Sequence, residues 1–166
     1  MPRRNSRPAS PSVSALGAGL RLLARRDHSR VEMERKLARR GHTPEEIESA
    51  LVRLVELGYL NDLTFAEGLV RHRSISRGPR ALSAELAQRG IGRAQADRAL
   101  ASYTEAMQMA SAMRQIVRTY GKREITGYRE MLDHVGNRLL RMGFSTTIVR
   151  GACRAVLAGA QKSPEG

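Results

Sequence analysis

Three copies of a five-residue pattern, Leu-x-x-x-Gly, lie at nearly even intervals along the chain. They occupy residues 37–41, 86–90 and 139–143, so the copies are 49 and 53 residues apart. One residue after each glycine comes a small residue that can start a helix, and apolar residues then return at matching positions. A glycine-terminated helix repeated at this spacing predicts a tandem array of small helical units.

Local sequence signals also favour helices. Ser29 and Thr43 each stand three residues before a glutamate, the spacing of a capping box, and Pro44 suits a first helical turn. No segment shows the alternating pattern of a strand, and aromatic residues make up only 4% of the chain. We therefore predict an all-α fold of three tandem three-helix repeats, nine helices in total, forming an elongated right-angled or curved array.

The repeat pattern also predicts domain boundaries. A unit of about 50 residues is marginally stable alone, so neighbouring units should pack together. We expect a disordered basic tail, three repeats and a disordered C-terminal tail, at residues 1–14, 15–61, 62–103, 104–158 and 159–166.

A densely specified joint, Gly58-Tyr59-Leu60-Asn61-Asp62, separates the first two repeats. We expect Gly58 to end a helix with a positive φ, and Tyr59 or Leu60 to fold back onto that helix. Tyr59 is expected to be largely buried, and Asn61 or Asp62 to cap the following helix.

The chain carries a net charge of +13, almost all of it from arginine, and its pI is near 11.3. Residues 104–158 alone have nine basic and four acidic side chains. This balance favours a polyanionic partner, such as nucleic acid or a nucleoprotein surface. The alternative is an arginine-rich surface that serves only solubility.

Two arginine groups are candidates for partner or DNA binding. One surrounds the Gly78-Pro79 turn, where few acids are nearby in sequence, and the other lies in the third repeat. A solvated basic face is the alternative for the first group. The candidates are Arg71, Arg73, Arg77 and Arg80, then Arg114, Arg118, Lys122, Arg123 and Arg129. In the first repeat, Arg25, Arg26, Arg39 and Arg40 stand among glutamates, and we expect them to be partly neutralised.

Catalytic and cofactor motifs are missing from the sequence. It has no phosphate-binding loop, and its four histidines are scattered without metal-ligand spacing. We predict no catalytic residue, no metal and no cofactor, and we expect the histidines at surface or cap positions. Cys153 excludes an internal disulfide and is expected to be a small buried residue. No apolar run approaches the ~20 residues that span a bilayer, so we expect a cytoplasmic protein.

Three segments, "SRVEMERKL", "ELGYLNDLTFAEGLV" and "SRGPRALSAELAQRGI", resemble the RecX family of bacterial regulatory proteins. The resemblance covers roughly residues 15–158. It implies tandem three-helix repeats without enzymatic activity. It also implies binding in the groove of RecA recombinase filaments on single-stranded DNA, with inhibition of ATP hydrolysis and strand exchange. The expected partners are therefore the RecA filament and, weakly and in a salt-dependent way, single-stranded DNA; we expect a monomer that binds no membrane.

A different class of function is also compatible with these residues. Turn-linked helices could form a helix-turn-helix protein that binds nucleic acid directly, which would require a recognition helix with exposed base-reading side chains. A helical scaffold for another partner is the third possibility.

Overall fold

The computed structural model describes residues 13–120 and 127–160, and within these ranges every regular element is an α-helix. The all-α prediction with nine helices is confirmed for this part of the chain. The assigned tails fall largely outside the described residues, and the repeat boundaries and the array's shape stay predictions. The helices are α1 (Ala15–Leu23), α2 (Arg30–Ala38), α3 (Pro44–Glu56), α4 (Asp62–Arg73), α5 (Pro79–Gln88), α6 (Arg93–Leu100), α7 (Glu105–Tyr120), α8 (Tyr128–Arg141) and α9 (Thr146–Ala160).

The chain divides into two compact units, and the first comprises residues 1–65 with residues 89–91. Its core is built from one apolar stripe on each of α1, α2 and α3. Met33, Leu37, Leu51 and Leu54 are at most 1% exposed. Burying each such side chain contributes on the order of 1.5–3 kcal/mol, so these few aliphatic residues dominate the stability of the unit.

The two expected capping boxes differ in the structure. Thr43 and Glu46 form the complete box, with backbone N–H to side-chain oxygen distances of 2.9 and 3.3 Å. Ser29 accepts the N–H of Glu32 at 3.1 Å. The return bond from Glu32 is absent, because its carboxylate instead contacts charged partners such as Arg89, 2.7 Å away. Only one of the two hydrogen bonds of the box predicted at Ser29 and Glu32 therefore forms.

Gly58 ends α3 with φ +75°, which confirms the left-handed conformation expected there. The N–H of Gly58 donates to the Val55 carbonyl at 2.9 Å, and the N–H of Tyr59 donates to the Leu54 carbonyl at 3.0 Å. This pair of bonds is the Schellman arrangement. The glycines of all three Leu-x-x-x-Gly copies also have positive φ.

The two polar residues of the joint cap two different helices. Asn61 Oδ1 accepts the N–H groups of Leu63 and Thr64 at 2.9 and 3.1 Å, so Asn61 caps α4. Asp62 Oδ1 accepts the N–H of Arg30 at 2.7 Å. Asp62 thus places a negative charge at the start of α2, where the helix dipole favours it.

The expected burial of Tyr59 is wrong. Tyr59 is 59% exposed, whereas its neighbour Leu60 is 2% exposed and belongs to the core of the first unit. A buried phenol needs a hydrogen-bond partner for its hydroxyl, and a leucine does not. The aliphatic residue therefore occupies the core position, and the phenol stays in solvent.

The second unit comprises residues 66–88 and 92–166, and its main core lies among α7, α8 and α9. Ile116, Met131, Leu139 and Phe144 are at most 1% exposed. Cys153 is fully buried beside them, as expected, and burial raises the pKa of its thiol. Within the same unit α5 packs on α6, with buried leucines on the first helix and buried alanines on the second.

Candidate functional site

The segment we call the arginine turn, residues 71–80, joins the end of α4 to the first turn of α5. It carries four of the candidate binding residues, and all four side chains are exposed. They are Arg71, Arg73, Arg77 and Arg80. The intervening Ser74 and Gly78 are buried, so the segment alternates between contacts with the protein and cations directed to solvent.

Two buried side chains of the second unit hold the carbonyl groups of this turn. The Tyr103 hydroxyl donates to the Ser74 carbonyl at 2.9 Å, and Gln115 Nε2 donates to the Ile75 carbonyl at 3.3 Å. Burial raises the pKa of Tyr103, so its hydroxyl keeps the proton that it donates. The first bond joins residues 29 positions apart and the second joins residues 40 positions apart. Neither bond could be predicted from the spacing of residues in the sequence.

The backbone of the turn is also bonded directly to the turn that follows α8. The N–H of Gly78 donates to the Met142 carbonyl at 2.8 Å, and the N–H of Arg80 donates to the Gly143 carbonyl at 3.2 Å. A Cβ on Gly78 would lie 2.3 Å from the carbonyl carbon and oxygen of Gly143. Only glycine permits this approach, so Gly78 sets the position of the arginine turn.

Arg73 is the one arginine of the turn with a carboxylate partner in the described part of the chain. Its Nε lies 3.9 Å from Oε1 of Glu85, which is 12 positions further along the chain. The side chain of Arg73 is 53% exposed. An exposed ion pair at this distance contributes little to stability. Arg71, Arg77 and Arg80 make no ion pair within the ranges described.

The candidates of the third repeat are only partly brought together. Arg114 and Arg118 are exposed and lie one turn apart on α7, where Arg114 Nη2 donates to Ser111 Oγ at 2.9 Å. Arg129 is exposed in the first turn of α8. Lys122 and Arg123 lie outside the described residues.

The arginines of the first repeat are less neutralised than expected. Arg26 pairs with Glu32 at 3.1 Å. Arg25, Arg39 and Arg40 have no carboxylate within 4.0 Å among the residues that the structure describes. One arginine of the four is thus paired in the part of the chain described, while Glu46 is engaged in a helix cap and Glu32 also pairs with Arg89.

His28 is buried, whereas the histidines were expected at surface or cap positions. It is 3% exposed, and its Nδ1 lies 3.1 Å from Oε2 of Glu32, one helical turn onward. Burial lowers the pKa of His28. Burial alone would raise the pKa of Glu32, but His28 and Arg26 together hold it below its usual value. The i, i+4 spacing of His28 and Glu32 was the signal available in the sequence.

His42 is also buried, at 7% exposure, whereas His72 and His134 are exposed as expected. No group of three metal-ligating side chains occurs in the described ranges. Among the helices described, none is long and apolar enough to cross a membrane.

Two family models match successive segments within the first 100 residues of the chain. The model described as "RecX, first three-helix domain" matches residues 15–54, and "RecX, second three-helix domain" matches residues 61–100. A regulatory protein RecX from Stenotrophomonas maltophilia is 36% identical over 156 residues, which cover 92% of this chain and 90% of that protein. The chain belongs to the RecX family. Members are regulatory proteins and not enzymes, so the prediction of a non-enzymatic regulator is confirmed.

Other RecX proteins are similar over shorter stretches or in structure. The protein from Pseudomonas syringae pv. tomato is 52% identical over 80 residues, which cover 48% of this chain and 52% of that protein. The crystal structure of RecX from Lactobacillus salivarius matches with a TM-score of 0.74 and 25% identity, covering 87% of this chain and 95% of that one. A second RecX crystal structure, at 23% identity and a TM-score of 0.71, supports the fold.

Proposed function

We propose that this chain binds RecA recombinase filaments on single-stranded DNA and slows their ATP hydrolysis and strand exchange. Membership of the RecX family supports the regulatory class, and the RecA filament is the partner that the sequence resemblance implies. The observation that carries the proposal is the arginine turn. It presents four exposed cations on a backbone held by four hydrogen bonds of 2.8 to 3.3 Å.

The restraint on this turn favours binding. A segment that is already ordered loses little conformational entropy when a partner engages it. Guanidinium groups bind carboxylates and phosphates through paired hydrogen bonds. An acidic surface of a filament, or the phosphates of its DNA, therefore suits Arg71, Arg77 and Arg80, whose charges no ion pair within the described ranges neutralises.

The third-repeat cations provide a second set of contacts. Arg114, Arg118 and Arg129 are exposed, and Lys122 and Arg123 add two charges in the sequence between α7 and α8. Contacts that are weak singly become tight when linked in one chain, because the later ones form intramolecularly. The proposal extends to weak, salt-dependent binding of single-stranded DNA by the monomer.

A charge-matched pair of variants tests the proposal. The test variant carries Arg73→Gln, Arg77→Gln and Arg80→Gln. The control carries Arg35→Gln, Arg39→Gln and Arg98→Gln, three exposed arginines outside the candidate groups. Both lose three charges, so a general charge effect would be equal in the two.

Co-sedimentation with RecA filaments and the rate of RecA ATP hydrolysis on single-stranded DNA are the readouts. The test variant should bind filaments about tenfold more weakly, from the loss of three exposed ionic contacts of about 0.5 kcal/mol each. The control should stay close to the parent. Equal losses in the two variants would remove the arginine turn from the proposal.

A further inference from the structure

A basic cleft lies in the first unit, beside α1 and the turn between α2 and α3. Its floor includes the buried His42, and its apolar wall includes Ala18 and Leu22. Its cations are Arg21, Arg25 and Arg40. We call this surface the first-unit cleft.

The three arginines of the first-unit cleft keep their full charge. None has a carboxylate within 4.0 Å in the part of the chain that the structure describes. Arg40 Nη1 donates to the Lys36 carbonyl at 3.2 Å, which leaves its other guanidinium donors free to bind a ligand. Arg21 lies in the last turn of α1 and Arg25 lies two residues beyond the end of that helix, and both side chains line the cleft.

A second cleft on the first unit provides an internal comparison. It is lined by Arg26, Arg35 and Arg39, but Glu32 lies among them and pairs with Arg26 at 3.1 Å. That carboxylate already satisfies part of the positive charge and repels an incoming anion. The first-unit cleft has no carboxylate in its lining, so its charge is available to a ligand.

We infer that the first-unit cleft binds the phosphodiester backbone of a single nucleic-acid strand. Guanidinium groups bind phosphate oxygens in bidentate fashion. The half-buried Val13 lines the cleft beside the buried Ala18 and Leu22, and it offers an apolar contact for a sugar or base beside the phosphate, which a carboxylate could not use. The combination therefore favours a nucleic-acid strand over an acidic peptide.

This inference rests on the proposed function for the source of the strand, the single-stranded DNA carried by the filament. It assigns DNA contact to the first unit. The candidate binding residues predicted from the sequence all lie in the second and third repeats, so the two sets can be tested separately.

The test variant carries Arg21→Gln, Arg25→Gln and Arg40→Gln, and the control again carries Arg35→Gln, Arg39→Gln and Arg98→Gln. Binding to a fluorescein-labelled oligothymidylate is measured by anisotropy at several salt concentrations. Each phosphate contact contributes about 0.7 to the slope of log affinity against log salt for a single strand. We expect the magnitude of this slope to be about 2 lower for the cleft variant than for the parent. The decrease for the control should be clearly smaller.

Equal slopes in the two variants would overturn the inference, because the cleft would then contribute only general charge. Circular dichroism checks that both variants keep the parent's helicity. Should the triple variant fail to fold, the single change Arg40→Gln is compared with Arg39→Gln in the same assay. Polyglutamate is added as a competitor, and displacement by it at lower concentration than unlabelled oligothymidylate would reassign the cleft to an acidic protein segment.

The inference and the proposed function fail in different ways. If the parent slows RecA ATP hydrolysis while the cleft variant keeps the parent's salt slope, the inference is wrong and the function stands. If the parent leaves RecA ATP hydrolysis unaffected while the cleft variant shows a smaller salt slope than the parent, the proposed filament partner is wrong. The assignment of the cleft to nucleic-acid binding then stands.

Discussion

The backbone N–H of Gly78 lies 2.8 Å from the carbonyl oxygen of Met142, and this bond joins the arginine turn to the turn between α8 and α9. The two residues are 64 positions apart in the sequence. Because the bond belongs to the backbone, it survives most side-chain changes. A truncation after Tyr103 would remove it together with the charges of the third repeat, so point variants are the sharper test of the arginines.

Gly78→Ala should destabilise the second unit. The added Cβ would lie 2.3 Å from backbone atoms of Gly143, which must move to admit it. Overpacking of this kind costs about 1–3 kcal/mol. Urea denaturation measures the loss. The matched control is Gly68→Ala within α4, where the nearest atom is 3.9 Å away and alanine favours the helix by up to about 1 kcal/mol. A Gly78→Ala variant as stable as Gly68→Ala would contradict the close backbone approach.

Gly58→Val should cost on the order of 1 kcal/mol or more, because a left-handed conformation is disfavoured for β-branched residues. A Cβ at Gly58 would meet nothing within 4 Å, so the loss would be conformational and not steric. Gly58→Asn, which tolerates positive φ, should lose less. Thermal unfolding compares the two variants, and identical melting temperatures would argue against a strained joint.

The helices and their ends could be predicted because they depend on residues a few positions apart. Thr43 with Glu46 and the positive φ of Gly58 are local features of this kind. The choice between Tyr59 and Leu60 for the core could not be predicted, because it depends on the path of the chain beyond the turn. The predicted burial of Tyr59 was wrong because packing with distant parts of the chain selected its neighbour Leu60 for the core.

The arrangement of the candidate site depended on long-range contacts and was less predictable. The four arginines of the turn were found from their position around Gly78-Pro79, yet nothing local indicated the bond from Gln115 to the Ile75 carbonyl. The pair between Arg73 and Glu85 joins residues 12 positions apart on either side of the turn, so it too depends on the path of the chain. The group that includes Arg40 was expected to be partly neutralised by nearby glutamates. Proximity in sequence does not show which arginines meet a carboxylate, and Arg40 meets none within 4.0 Å among the described residues.

His28 should make stability depend on pH between about 7 and 5. Burial, with the charges of Arg26 and Lys36, lowers the pKa of His28 below 6.5 in the folded chain, although Glu32 opposes the shift. The unfolded chain then binds more protons, so stability is unaffected well above pH 6.5 and falls as the pH drops through that value. His28→Asn keeps an amide donor for Glu32 and removes this titration. Its urea midpoint should change less between pH 7.5 and 5 than that of the parent; equal changes would contradict the assignment.

Glu32 should make stability depend on pH in a lower range than His28 does. Because its pKa is held below 4.5, it stabilises the folded chain above pH 4.5, and that contribution is lost as the pH falls through its folded-state value. Glu32→Gln should therefore be less stable than the parent at pH 6 and approach it near pH 3. Unfolding curves at the two pH values make the comparison, and a constant difference would contradict the ion pairs with Arg26 and Arg89 and the hydrogen bond with His28.

Deletion of residues 1–12 should flatten the salt dependence of single-stranded DNA binding. The segment contributes three arginines, and the loss of up to three phosphate contacts would lower the slope by up to about 2. Anisotropy titrations at several salt concentrations provide the measurement, with a deletion of residues 161–166, which have no net charge, as the control. An unchanged slope would mean that the tail does not contact the strand.

The central claim is tested most directly by the rate of RecA ATP hydrolysis on single-stranded DNA, measured with increasing amounts of this protein. The account predicts that the parent slows hydrolysis and co-sediments with the filaments. It also predicts that Arg73→Gln/Arg77→Gln/Arg80→Gln requires about tenfold more protein for the same effect, while the charge-matched Arg35→Gln/Arg39→Gln/Arg98→Gln resembles the parent. A parent protein that leaves the rate unchanged and stays in the supernatant would contradict the account and favour direct nucleic-acid binding by the helical repeats.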